Sequence, residues 1–245
     1  MLCSSKNIYE KWFVEDFEDL CRTGEPWSVW RDFVVSTACA FSNSIGVNAV
    51  DYEKREKEYS ECINRLGGVD VPAKMLSTIA IALTKNPEQD FLGDMFMRLN
   101  LGNHWKGQFF TPYSVCRLMS DINCGQAIEN IKEKGWISVN DCACGAGATL
   151  ISAANSFKSL DINYQESVLF VAQDIDRTAA LMCYIQLSLL GCAGYVVVGD
   201  SLCNPLSGHP LFPQTNENHE LWITPMFSSN IWAMRRAFNF LDFIK

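Results

Sequence analysis

Apolar residues recur at spacings of three and four from residue 6 to about residue 100, in "YEKWFVEDFEDLC", "WSVWRDFVVSTACAF", "VDYEKREKEYSECINRL", "VPAKMLSTIAIALTK" and "PEQDFLGDMFMRLNL". That period puts one apolar stripe on one side of an α-helix in each segment. Turn signals separate the segments at Gly24 to Pro26, Gly67-Gly68 and Asn86-Pro87, with Asp70 and Asn86 as expected caps. After "GNHWKGQFFTP" the pattern changes. The short apolar runs "WISVNDC", "VLFVAQD", "YVVVGD" and "ELWIT" read as strands, and "YSVCRLMSDI", "GATLISAANSF", "RTAALMCYIQLSLLG" and Phe227 to Ile244 as helices. Strands that alternate with helices predict an α/β fold with a parallel sheet covered on both faces. The expected division is a helical N-terminal domain over residues 1–104 and a sheet domain over 105–245.

Composition narrows the class. A chain of 245 residues that is 48% hydrophobic buries a packed core rather than staying disordered. No apolar run approaches the roughly 20 residues that cross a bilayer. The start, "MLCSSKNIYEKWF", lacks the apolar stretch of a signal peptide, so a cytoplasmic protein with no membrane partner is expected. The 11 cysteines are scattered through helix-like and strand-like segments of a chain too large to need staples, and read as reduced thiols. Cys142 and Cys144 are the one close pair; with only His104, His209 and His219 beside them, zinc-ligand spacing is missing and no metal is expected. The net charge of −8 has the wrong sign for gripping DNA along the whole surface. DNA contacts would be local, at Lys106 with Arg117 or at Arg235 with Arg236, pairs that otherwise read as solvated helix faces.

Three successive strands end in carboxylates: Asp141, then Asp174 with Asp176, then Asp200. In a doubly wound sheet the carboxyl ends of neighbouring strands border the crevice where ligands bind. Each acid alone also reads as a cap for the next helix; the row of three points to a ligand. The first acid opens "DCACGAGAT", where Gly145 and Gly147 let a backbone approach a ligand with no Cβ between. Leu150 stands where a G-x-G-x-x-G has its third glycine, and no Lys-Ser or Lys-Thr follows as in a phosphate loop. Asp174 suits ribose hydroxyls. An adenosine-containing ligand fits, a nicotinamide cofactor among the readings left open.

The ordered set "GQFFTP", "DCACGAGATL", "AQDID" and "GDSL" resembles the methyltransferases that methylate adenine N6 in DNA, particularly the modification subunits of type I restriction systems, over roughly residues 90 to 227. The resemblance implies a Rossmann-like class I methyltransferase sheet, a helical leader, and S-adenosylmethionine as cofactor. It implies that Phe110 and Thr111 close over the methionine end, with Asp141, Ala143 and Gly145 beneath it. Asp174 would take the ribose, Ile175 would lie against adenine, and Asp200, with Ser201 beside it, would accept from the adenine amine. "FFTP" alone also reads as a helix start with Thr111 as cap and Pro112 in the first position. Cys142 and Ala148 replace a proline and a glycine of the family pattern.

The family's fourth strand ends in Asn or Asp, Pro, Pro and an aromatic, where an acceptor raises the target nitrogen's lone pair and the ring stacks on a flipped base. "LWITPMF" is the matching stretch, which implies Thr224, Pro225 and Phe227 as the catalytic lip. A hydroxyl is a weaker acceptor than an amide or carboxylate. Two function classes therefore stand: an adenine-N6 DNA methyltransferase with a divergent motif, and a cofactor-binding partner or regulatory subunit without catalysis. The complete fold has seven strands and four are expected here, so the sheet reads as truncated. A second copy of the chain or a separate recognition subunit is the implied protein partner.

Overall fold

The computed structural model describes residues 8–46, 49–101, 110–125 and 127–243. The expected domain boundary at 104 and 105, His104, Lys106 and the "GQF" of "GQFFTP" lie outside the described residues. Five helices come first: α1 (Ile8–Leu20), α2 (Pro26–Ser44), α3 (Ala49–Arg65), α4 (Asp70–Lys85) and α5 (Phe91–Arg98). Then follow α6 (Tyr113–Cys124), α7 (Ala127–Lys134), β1 (Ile137–Asp141), α8 (Ala148–Ser159), α9 (Tyr164–Ser167), β2 (Val168–Asp174), α10 (Arg177–Leu189) and β3 (Ala193–Val198). A hairpin of β4 (Ser207–His209) and β5 (Phe212–Gln214) precedes β6 (Glu220–Ile223), a short 3-10 helix over Pro225–Ser228, and α11 (Asn230–Phe243).

Local chemistry explains several boundaries. The Glu25 carboxylate accepts from the amides of Trp27 and Ser28 at 3.1 and 2.9 Å, and Pro26, which has no amide hydrogen to leave unpaired, opens α2. Asp70, expected as a cap, is instead the first residue of α4, where its charge favours the positive end of the helix dipole. Apolar residues three and four apart, such as Phe13, Phe17 and Leu20 of α1, fall on the buried side.

The helices and the sheet share one core. Phe13, Trp30, Phe33 and Phe91 pack edge to face, and α2 lies against both α3 and α10. The same cluster runs on through Leu150, Phe157, Phe170 and Tyr184 to one face of the sheet. Residues of opposite parity in the strands, Leu169, Val171, Tyr195 and Val197, face the other way and are covered by Leu211, Phe227 and Trp232.

Strand order is β1-β2-β3-β6. β1, β2 and β3 are parallel, as the alternation predicts. The fourth strand departs from the expectation: β6 runs antiparallel to β3, with Val198 opposite Glu220 and Tyr195 opposite Ile223. A parallel return needs a crossover, normally a helix. Residues 199–219 hold only turns and the small β4–β5 hairpin, so the chain doubles back instead.

Both outer carbonyls of β6 are taken by side chains. Arg55 Nη2 donates to the Leu221 carbonyl at 2.7 Å, and the Tyr184 hydroxyl to that of Ile223 at 3.1 Å. The Arg55 guanidinium also stacks 4.2 Å over the Trp222 ring. β1, at the opposite edge, pairs with β2 alone among the described residues, and its Ser138 and Asn140 are exposed.

Candidate functional site

Because β1, β2 and β3 are parallel, Asp141, Asp174 and the residues after Val198 end on the same side of the sheet. Backbone bonds tie these ends together. The Cys144 amide donates to the Gln173 carbonyl at 3.1 Å and the Gly199 amide to the Asp174 carbonyl at 2.9 Å. Asp174 is the centre: Oδ2 accepts from the Gly145 amide at 2.8 Å and Oδ1 from the Asp176 amide at 2.8 Å. Burial is the main influence on its carboxyl and pushes it above the usual carboxylate range, with the amides of Asp176 and Gly145 pulling the other way.

The other two acids serve their own turns. Asp141 Oδ1 accepts from the Ala143 amide at 3.1 Å, and Asp200 Oδ1 from Leu202 and Cys203 at 2.9 and 3.1 Å. Those backbone donors hold the Asp200 carboxyl below the usual range. Capping and ligand binding are compatible here, since each carboxylate oxygen has a second lone pair. Asp176, by contrast, is spent on the start of α10, accepting from Thr178 and Ala179.

The glycine turn needs its glycines. Gly145 and Gly147 have φ of 52° and 100°, a region that side chains rarely tolerate. A Cβ on Gly147 would lie 2.8 Å from Cys183 Sγ, and one on Gly145 would lie 3.0 Å from the Phe110 ring. Phe110 therefore packs directly against the turn, with Phe96 behind it at 5.4 Å. Thr111 is exposed and caps nothing; Pro112 occupies the cap position of α6.

Ile175 is 70% exposed, unusual for an isoleucine, and opens onto a cleft of about 870 Å³ together with Val198, Gly199 and Asp200. That size lies in the range of small-molecule sites. The far wall is Lys54 and Arg55 of α3 and the loop before β6. Arg177, next after Asp176, fixes this wall with paired bonds to Glu58 at 2.8 and 2.9 Å and to Glu220 at 2.7 and 2.9 Å. No motif in the sequence marks these three residues, which are brought together across long separations. Asp141, Ala143 and Gly145 lie on the β1 side of Asp174, and Ser201 is half-buried beside Asp200.

Thr224, Pro225 and Phe227 are not on this side. The reversal of β6 carries them to the opposite end of the sheet, beside Gly194 at the start of β3. At about 3.4 Å per residue, that is on the order of 14 Å along the strand from the acid row. Thr224 is fully buried; its Oγ1 accepts from the Gly194 amide at 3.0 Å and donates within reach of the Cys192 carbonyl at 2.8 Å. Phe227 is buried against Tyr195 and Trp232, with Arg236 stacked 4.3 Å over its ring. Sequence reading puts this stretch on the crevice because a strand's end is assigned to the ligand side only if the strand is parallel.

The described members of the basic pairs are also engaged. Arg117 bonds Glu88 and Asp121, Arg235 donates to the Glu166 carbonyl, and Arg236 to that of Phe227. The described cysteines are free thiols, most of them buried. No single helix among the described residues is long and apolar enough to cross a membrane.

Residues 88–241 match the family model described as N-6 DNA Methylase, from just before α5 into α11. Comparison with curated proteins and comparison with solved structures each found no match.

Proposed function

Because the chain belongs to the N-6 DNA methylase family, matched over more than half its length, we propose that it holds S-adenosylmethionine at the carboxyl ends of β1, β2 and β3 for adenine-N6 methylation of DNA. The observation that carries this reading is the cradle around Asp174: its bond to the Gly145 amide on one side, and the exposed Ile175 with the half-buried Asp200 on the cleft side. When bound, that cofactor supplies a methyl group on an electrophilic sulfonium. The chain's own residues do the holding. Asp174 keeps a lone pair on each oxygen for the ribose hydroxyls, Ile175 offers adenine an apolar surface, and Asp200 accepts from its amine with Ser201 alongside. Asp141, Ala143 and Gly145 form the methionine side, where a backbone without Cβ allows close approach and the acid offsets the positive sulfonium. Phe110 braces that turn, and the exposed Thr111 stands ready to meet the ligand.

The buried, internally bonded state of Thr224 and Phe227 favours a second reading over catalysis by this lip. In that reading the chain is a cofactor-binding partner or regulatory subunit, and the methyl-acceptor side comes from another polypeptide. Calorimetric titration with S-adenosylmethionine and with its demethylated product is expected to show heat and thermal protection. Transfer of labelled methyl groups to mixed DNA by this chain alone is expected to be absent. Transfer that disappears in Asp200→Ala would restore catalysis to the chain; neither heat nor protection with either molecule would end the cofactor reading.

A further inference from the structure

The glycine turn of the crevice is held from behind by a side chain of α10. Gln186 has no solvent exposure. Its Nε2 donates to the Ala146 carbonyl at 2.9 Å and to Asp90 Oδ1 at 2.7 Å, and its Oε1 accepts from the Leu92 amide at 3.1 Å. Ala146 is the residue between Gly145 and Gly147, and is itself buried. Asp90, also buried, caps α5 through the Gly93 amide at 2.9 Å, and a Cβ at position 93 would lie 2.0 Å from Asp90 Oδ2. One amide thus joins α5, α10 and the turn.

We propose that Gln186 is a positioning residue that sets the conformation of the Gly145–Gly147 turn, with Asp90 as the charge that orients its amide. Both hydrogens of the Gln186 amide are used, and its oxygen is used once. Turning the amide over would set its oxygen against the Asp90 carboxylate and the Ala146 carbonyl, with no donor toward either. The carboxylate therefore selects the orientation that puts a donor on the turn. The proposal rests on the reading of this turn as part of the cofactor site.

Asp90 gives the arrangement a signature. The charged and titratable groups facing it are Asp94 of its own helix and the thiols of Cys116 on α6 and Cys183 on α10. Burial pushes its carboxyl up to about 6, against the donors Gln186 and Gly93. Protonation removes the charge that strengthens the Gln186 bond. The sign for folding is opposite: a carboxyl raised above its unfolded value contributes stability below the ordinary carboxylate range, and that contribution is lost as pH rises through about 6. Loosening of the turn at low pH through this residue is therefore seen in binding, not in unfolding.

The test uses the full chain, with Gln186→Leu and Asp90→Asn, titrated with S-adenosylmethionine at pH values on both sides of about 6. Amide hydrogen exchange over residues 145–148 is followed in parallel. Gln186→Leu is expected to weaken binding by about tenfold, the effect of leaving buried partners unsatisfied, and to speed exchange of the turn. Asp90→Asn keeps an oxygen acceptor but not the charge, so above about pH 7 it is expected to bind more weakly than the parent does there, as the protonated parent does below about pH 6, and to lose part of the decline between. Asp174 titrates in both proteins, so the difference between their profiles is the readout. Parent-like affinity and exchange in Gln186→Leu would overturn the proposal. If that variant does not fold, parallel profiles for Asp90→Asn and the parent would do so. Should the parent itself give no heat, the cofactor reading fails alone, and exchange of the turn decides the positioning role.

Discussion

Asp174→Ala is expected to weaken S-adenosylmethionine binding by roughly 10- to 100-fold while the chain stays folded. The carboxylate accepts from the Gly145 amide and, in the proposed site, also holds the ribose, so its removal would lose the proposed ribose contacts and free the turn together. Hydrogen bonds to a charged group contribute about 1.5 to 3 kcal/mol each, which sets the range. Asp174→Asn keeps one acceptor and is expected to fall between the two. Because burial raises this carboxyl, binding should also weaken on acidification earlier than an ordinary aspartate would allow. Calorimetry on the three proteins, with thermal melts as the folding control, decides the matter. Equal affinities would remove Asp174 from the site.

Phe227→Ala is expected to cost about 3 to 5 kcal/mol of stability and to leave cofactor affinity unchanged. The ring fills a buried position between Tyr195 and Trp232 and carries the Arg236 guanidinium on its outer face. Truncation opens a cavity and removes the ring from under that cation, which keeps its bond to the residue 227 carbonyl. A residue whose work is to stack on a target base would behave the other way, with little effect on folding and a loss of methyl transfer. Urea unfolding read beside the S-adenosylmethionine titration separates the two. A stable Phe227→Ala protein with parent-like unfolding would return this ring to the list of ligand contacts.

The contrast between these two residues shows which parts of the molecule are legible in sequence. Asp141, Asp174 and Asp200 each follow an apolar run within a few residues, so local pattern is enough to place them on neighbouring strand ends. The glycines are legible for the same reason: the turn that demands them is made within the segment that contains them. "ELWIT" is different. Its composition predicts a strand correctly, but a strand reads the same in either direction, and direction is decided by whether the preceding connection can cross the sheet. The aperiodic stretch 199–219 carries that information, through the absence of a helical repeat. Gln186 and Asp90 lie 96 residues apart and Arg177 and Glu58 lie 119 apart, so no spacing rule could join them. The N-terminal helices read as a unit of their own because their period is strong; nothing in that period announces that α2 packs against α10 and completes the same core.

Arg55 and Tyr184 have one more consequence, which concerns association rather than chemistry. A sheet border that offers free carbonyls and amides is a template for other chains and a route to aggregation. With its carbonyls occupied and a guanidinium lying over Trp222, the β6 border is a blunt terminus. Among the described residues, lateral extension of the sheet, whether wanted or pathological, therefore has a polarity: the border without a strand neighbour is β1, beside Ser138 and Asn140.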